Sequence, residues 1–426
     1  MIYLYLFGTC FHFIYVFMII GNNISQGYKQ TELGIIPEDW EVLSFSQVFD
    51  MYPNNTYPRD CMNDDHGTIR NIHYGDVLIK YPTVVDVDKC SIPYLNEGVK
   101  IKNQKFVQSG DVIIADTAED ETVGKCVEIK NAINAKIVAG LHTFFCRPIR
   151  KFAIGWLGYY LNSSNYHNQL LPYITGIKVS SISRGSIQET KLLVPPVAEQ
   201  RAIAEALNDI DGLIAALDKK IAKKRLIKQG AMQQLLTGKT RLPGFTDSWL
   251  EKKLGAISHI KTGSCNGDQA VENGKYPFFV RSQKVYAIDS YSYDGEAILV
   301  PGEGGIGSIF HYINGKFDYH QRVYKISDFA DNVYGKYIFF YMSRYFGEYA
   351  LSLTVKATVD SLRLPTFEEF VICLPMDIKE QQAIAAILSD MDNELADLEA
   401  KRDKYRLLKS GMMQKLLTGQ IRLQTK

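Results

Sequence analysis

Hydrophobic residues follow two patterns along this chain, one long-period and duplicated, the other short and scattered. In the first, Ile203, Leu207, Ile210, Ile214, Leu217 and Ile221 alternate spacings of four and three, with charged residues between them. That spacing lays one apolar stripe on a helix and predicts a single long amphipathic helix over residues 198–237. Ile384, Leu388, Met391, Leu395 and Leu398 repeat the stripe further on. Each stripe needs an apolar partner. The matched register predicts that the two helices pair with each other, antiparallel, as a coiled coil with pseudo-twofold symmetry. The competing arrangement is two unrelated helices, each docked on its own globule. Pro195-Pro196 and Pro375 stand ahead of the stripes, where a helix tolerates proline. Thr237-Gly238 and Thr418-Gly419 follow them, where glycine ends one.

The second pattern consists of short β-prone runs: Val77-Leu78-Ile79, Val112-Ile113-Ile114, Ala297-Ile298-Leu299-Val300 and Ser308-Ile309-Phe310. Several follow turn residues, as at Gly75-Asp76, Gly110-Asp111 and Gly295-Glu296, so they predict strands. Aromatics at helical spacing over residues 153–161 and 335–343 predict helices. The strand-rich regions therefore read as two α+β globules.

The stripes belong to a true repeat. Of the 44 positions in residues 199–242, 24 are identical to residues 380–423, including Glu199-Gln200 with Glu380-Gln381 and Leu235-Leu236-Thr237-Gly238 with Leu416-Leu417-Thr418-Gly419. A looser match precedes each copy: Pro37-Glu38-Asp39-Trp40 with Phe45 finds a counterpart in Phe245-Thr246-Asp247-Ser248-Trp249 with Leu254. The expected division is an apolar leader at 1–30, a first globular domain at 31–193, a helical spacer at 194–242, a second domain at 243–374 and a second spacer at 375–426. At 426 residues, two cores are expected rather than one.

Charge narrows the function only locally. With 48 Lys plus Arg against 47 Asp plus Glu, no global field attracts a polyanion, so any nucleic-acid surface is confined to patches. Seven scattered cysteines without a C-x-x-C pair read as reduced, buried and cytosolic. Residues 1–20 are almost wholly apolar, and the first charge is Lys29. Without a basic flank or a cleavage site they are expected to be an extension with no role, Met18 being an alternative start, rather than a membrane anchor.

Catalytic motifs are weak. Residues 302–307 fit G-x-G-x-x-G, but a strand is expected after them instead of a helix, which points to a tight glycine turn rather than a cofactor loop. Gly238-Lys239-Thr240 ends like a phosphate-binding loop but sits at a helix end. Donors suited to base edges gather elsewhere. In the first globule these are Lys178, Ser180, Ser181, Ser183 and Arg184. In the second they are Arg281, Ser282, Gln283 and Lys284, then His320, Gln321 and Arg322, then Lys356, Thr358 and Arg363. A basic run, Lys219, Lys220, Lys223, Lys224, Arg225 and Lys228, suits either phosphates or the exterior of a coiled coil.

Taken together, Pro195-Pro196-Val197-Ala198-Glu199-Gln200 opening a long helix, Leu-Leu-Thr-Gly closing it, duplication, and Pro37-Glu38-Asp39-Trp40 at the head of the first half resemble the specificity subunits of type I restriction–modification enzymes. The resemblance spans residues 31–423. One extra residue before Glu380 and the apolar leader depart from it. It implies a non-catalytic DNA reader of a bipartite, asymmetric target, with one half-site per globule. Its partners would be double-stranded DNA, methyltransferase subunits, two per chain, and translocase-nuclease subunits. S-adenosylmethionine, ATP and Mg²⁺ would belong to those partners, and no cofactor or metal to this chain. A helix over 198–237 is roughly 60 Å long, and half-sites on one DNA face lie roughly 34 Å apart, so the helices can act as a ruler. The rival readings are a specificity subunit serving a methyltransferase alone, a self-contained methyltransferase, and a coiled-coil adaptor with two protein-binding heads.

Overall fold

A computed structural model describes residues 25–103, 105–176, 178–353 and 361–423. The expectations for residues 1–20, Lys356 and Thr358 lie outside the described residues. The described residues divide into two compact units, one up to residue 216 together with residues from 403 onward, the other over residues 217–402. Each unit holds one α+β head and parts of both long helices, Val197–Leu235 and Ile378–Leu416.

In the first unit, head 1 is built on a five-stranded sheet whose middle strand is Val112–Ala115. All four of its residues are buried, the signature of a central strand covered on both faces. It pairs antiparallel with Thr143–Pro148 and with Cys126–Lys130. The strand Glu41–Ser44 that leads into the head pairs antiparallel with its last strand, Lys191–Val194, so the head's entrance and exit meet at the start of the helix. Head 2 repeats the scheme with a six-stranded sheet around Tyr293–Pro301. Its entrance and exit strands, Trp249–Lys253 and Val371–Pro375, also pair antiparallel.

Two expected strands differ. Val77, Leu78 and Ile79 lie in a helical turn, Asp76–Lys80. An apolar run of that length does not by itself decide between strand and helix, and Tyr81 N–H donating to Asp76 O closes the turn. Ser308, Ile309 and Phe310 precede the strand His311–Tyr319 instead of opening it, because Ser308 is tied back to Gly305 by its amide and hydroxyl. The helices expected over 153–161 and 335–343 are observed as Trp156–Leu161 and Gly335–Leu353.

The long helices pair antiparallel, as their partners show unit by unit. Within the second unit, Asp218 faces Arg402, Arg225 faces Glu399, Lys224 faces Glu394 and Lys228 faces Asp392, descending one helix as the other ascends. Within the first, Asp211 meets Lys409 at 2.7 Å. The seam divides. Ile221 packs with Leu395, Leu398 and Leu217, whereas Ile203 and Leu207 enter the core of head 1 with Leu416 and Leu417. Ile384 and Leu388 likewise enter the core of head 2, with the partly buried Met391 packed against it. Ile210 is buried and Ile214 half-buried. One continuous stripe thus serves two surfaces, the head at the helix start and the other helix beyond it. Lys224, Arg225 and Lys228 are cross-helix ion pairs, while Lys219, Lys220 and Lys223 are exposed.

Both repeat motifs have a packing reason. Gly238 and Gly419 adopt φ of +67° and +72°; a Cβ at Gly419 would strike Pro37, and one at Gly238 would press on the Trp249 ring at 3.2 Å. Just beyond them, Arg241 forms a bidentate pair with the wholly buried Glu380 at 2.8 Å through Nε and Nη2. Arg422 does the same with Glu199, and also grips Asp39 at 2.8–2.9 Å. The Asp39 carboxyl is held below its ordinary range by that guanidinium. Gln200 and Gln381 tie the strand–helix joint, donating to Pro195 O and Pro375 O and accepting from Ala153 and Tyr334 amides. The extra residue before Glu380 leaves this joint intact: Met376 is exposed and Asp377 accepts the Lys379 amide.

Of the six described cysteines, all free, only Cys126 and Cys146 are buried; the other four are half-buried. Among the described residues no helix is long and apolar enough to cross a membrane.

Candidate nucleic-acid interface

The same place in both heads gathers polar side chains. It lies where the central strand leaves the sheet. In head 2, Tyr293–Pro301 runs into residues 302–307, in which Gly304, Gly305 and Gly307 have positive φ. Glu303 is fixed by a bridge to Ser361, and Leu362 N–H donates to Gly302 O at 2.7 Å. The neighbouring strand Val323–Ser327 is preceded by His320, Gln321 and Arg322, and Tyr276–Phe279 is followed by Arg281 and Ser282.

These three segments converge on Glu303. Its Oε2 receives Arg281 Nη1 and its Oε1 receives Arg322 Nη1, each at 3.2 Å. Arg281 is 51% exposed, Arg322 60% and Glu303 25%. Behind them His320 is buried, and its Nδ1 accepts the Arg322 amide at 2.9 Å, which leaves the proton of the neutral ring on Nε2. Burial and the two guanidiniums hold His320 below the ordinary histidine range, so near neutral pH the arginines carry the positive charge. A cavity of about 310 Å³ opens beside them, lined by Gly267, Val280, Arg281, Ser282, Tyr286 and His320.

In head 1 the strand Val112–Ala115 runs into Asp116 and Thr117, and Thr117 and Ala118 pair antiparallel with Ser181 and Ser180. Thr117 donates to Asp116 Oδ1 at 2.7 Å, the His142 ring lies 3.3 Å from that oxygen, and Tyr74 meets His142 edge-on at 5.3 Å. The topological match is close. His142 precedes Thr143–Pro148 as residues 320–322 precede Val323–Ser327. Ser181 and Ser361 each stand two residues before the N-cap of a short helix, Arg184–Gln188 or Leu364–Glu368.

Of the residues expected to contact bases, Arg281, Ser282, His320 and Arg322 come together. Gln321 donates to Asn266 at 2.8 Å, Gln283 is exposed, and Lys284 sits 4.9 Å from the Tyr286 ring. Arg363 is exposed at the N-cap of its helix. In head 1 Lys178 is exposed, Ser180 and Ser181 lie in the two-residue ladder, Ser183 caps its helix by accepting the Ser186 amide, and Arg184 donates to Met51 O. Sequence reasoning missed Glu303, Asp116, His142 and Tyr74. For Glu303 the signal was present in the glycine run, where it is the one ionisable residue. Among the described residues no group of three or more His, Cys, Asp and Glu side chains is placed to hold a metal.

A family model described as the type I restriction modification DNA specificity domain matches residues 37–224 and again residues 246–405. This chain belongs to that family. The putative type I restriction enzyme MjaX specificity subunit of Methanocaldococcus jannaschii is 24% identical over 94% of this chain and 98% of its own length. The MjaVIII specificity subunit of the same organism is 22% identical over 93% and 96%. Among solved structures, a type I restriction-modification S subunit from M. genitalium superposes with a TM-score of 0.61 at 13% identity, covering 93% of this chain and 98% of that one. A chain from a study of type I system assembly gives 0.52 at 18% identity, over 91% and 99%. Both share the fold of this specificity subunit.

Proposed function

We propose that this specificity subunit reads a bipartite, asymmetric DNA sequence, one half-site per head, while its paired helices set the gap. The observation that carries the reading is the pair of topologically matched but chemically unlike clusters at the exit of the two central strands. Matched position gives both heads the same way of meeting a duplex, and unlike chemistry gives each a different half-site. The glycine turn in head 2 removes side chains from the approach of a bulky partner.

Recognition is the chain's own contribution to a larger enzyme. Methylation and cleavage fall to partners: two DNA methyltransferase subunits, and translocase-nuclease subunits where cleavage occurs. S-adenosylmethionine, ATP and Mg²⁺ serve on those partners. The near-neutral charge of the chain fits this division, because neighbouring subunits supply phosphate contacts that this surface lacks.

Sequencing the methylated sites in cells that carry the chain with its methyltransferase tests this directly. The expected result is one motif with two unlike halves at a fixed gap. A continuous motif, a palindromic one or methylation without sequence preference contradicts it.

A further inference from the structure

We propose that Arg281 and Arg322 read guanines in the half-site of head 2 and that Glu303 is the positioning residue that holds both. This rests on the DNA-reading function proposed above and assigns its chemistry.

The chain contains two kinds of arginine–carboxylate pairing, and the contrast decides which kind serves a ligand. Arg241 and Arg422 each take both oxygens of a buried glutamate at 2.7–2.8 Å, a closed arrangement that locks the chain. Glu303 instead divides its oxygens between two arginines, with Nη1 the nearest nitrogen of each at a longer 3.2 Å, as a hydrogen bond from Arg281 and an ion pair with Arg322. Neither guanidinium closes its Nε/Nη2 edge on the carboxylate as Arg241 and Arg422 do. That edge is a two-donor fork, the geometry that matches guanine O6 and N7.

The surroundings favour base edges over phosphates. A carboxylate beside an arginine repels a phosphate, whereas it costs little toward a neutral base and fixes the direction of the fork. Glu303 is itself fixed through the Ser361 bridge and the Leu362-to-Gly302 hydrogen bond. Arg322 is anchored through its own amide on His320, and Ser282, next to Arg281, accepts the His311 ring nitrogen at 3.0 Å through its carbonyl. The forks are thus aimed before DNA arrives, which reduces the ordering cost of binding. Residues 302–307 add little bulk beside Glu303, and at Gly304 the nearest atom to an added Cβ would be 4.0 Å away.

The test uses the full chain in complex with its methyltransferase subunits, reading methylated motifs and binding to oligonucleotide duplexes with single base-pair changes. The wild type is expected to require G·C pairs in one half-site. Arg322→Ala and Arg281→Ala should each relax a different one of those pairs, with discrimination falling about 5- to 150-fold and the other half-site unchanged. Arg322→Lys, which keeps the charge but loses the fork, should relax the same position as Arg322→Ala while retaining more affinity. Glu303→Gln should weaken selection at both positions. Uniform loss across all sequences, with a salt slope reduced by about one, would make the arginines phosphate contacts and overturn the proposal. Loss of selection in Glu303→Gln alone, with both alanine variants unaffected, would make Glu303 the reader and also overturn it. A wild-type complex without any sequence preference would instead defeat the DNA-reading function itself.

Discussion

At the exit of its central strand head 2 displays Glu303 between two arginines, whereas head 1 displays Asp116 beside Thr117, His142 and Tyr74. The strands that lead there, the ladder or bridge that steadies them and the short helix that follows correspond in both heads. The framework is therefore shared and the displayed chemistry is not. A duplicated frame can keep one docking geometry while each head drifts to its own target, because the cluster residues carry little of the core. The frame has its own asymmetry. In head 1 Trp40 Nε1 donates to Glu199 at 3.0 Å and Asp39 shares Arg422, but in head 2 Ser248 replaces the aspartate and buried Trp249 Nε1 finds no acceptor among the described residues.

That asymmetry gives the largest expected effects. Arg241→Ala leaves Glu380 buried and unpaired, and should give the largest loss of stability of the second unit in denaturant unfolding. Arg422→Ala should cost less, since Glu199 keeps the Trp40 hydrogen bond; equal losses would show that the indole contributes nothing. Next comes a pH effect confined to head 1. Glu128, on the strand Cys126–Lys130, accepts the Gly155 and Gly158 amides, and burial pushes its carboxyl up to about 7. The folded protein then holds a proton that the unfolded chain releases above about 4.5. Stability should fall as pH rises from about 4.5 to 7, by roughly 3 kcal/mol. Glu128→Gln should flatten that slope in pH-dependent melting, and an unchanged slope would assign it to another group. The smallest effects come from the tryptophans. Trp40→Phe should cost about 1.5–3 kcal/mol for a hydrogen bond to a charged group, while Trp249→Phe should be nearly neutral. Calorimetry on the two variants separates them.

Much of the frame is legible in the sequence. The alternating fours and threes from Ile203 to Ile221 fix a helix, and their recurrence from Ile384 fixes a partner for it. Local pattern could not show that the stripe divides, with Ile203 and Leu207 entering a head and Ile221 meeting Leu395, because both surfaces are equally apolar. Arg241 and Arg422 stand at equivalent places in the repeat, yet their partners are 139 and 223 residues away, beyond what spacing reveals. The cluster in head 2 was partly legible because base-edge donors are conspicuous in Arg281 and Arg322. Head 1 was harder to read, since Asp116, His142 and Tyr74 come from three distant segments, and the polar run that Asp116 opens is acidic rather than rich in base-edge donors.

Lengthening both long helices by four residues, about 6 Å each, within the stretch where Ile221 faces Leu395 and Leu398, and then sequencing methylated sites, tests the division of labour between frame and heads. Both half-sites should persist unchanged, separated by an altered gap. Changed half-sites at the original gap would contradict it.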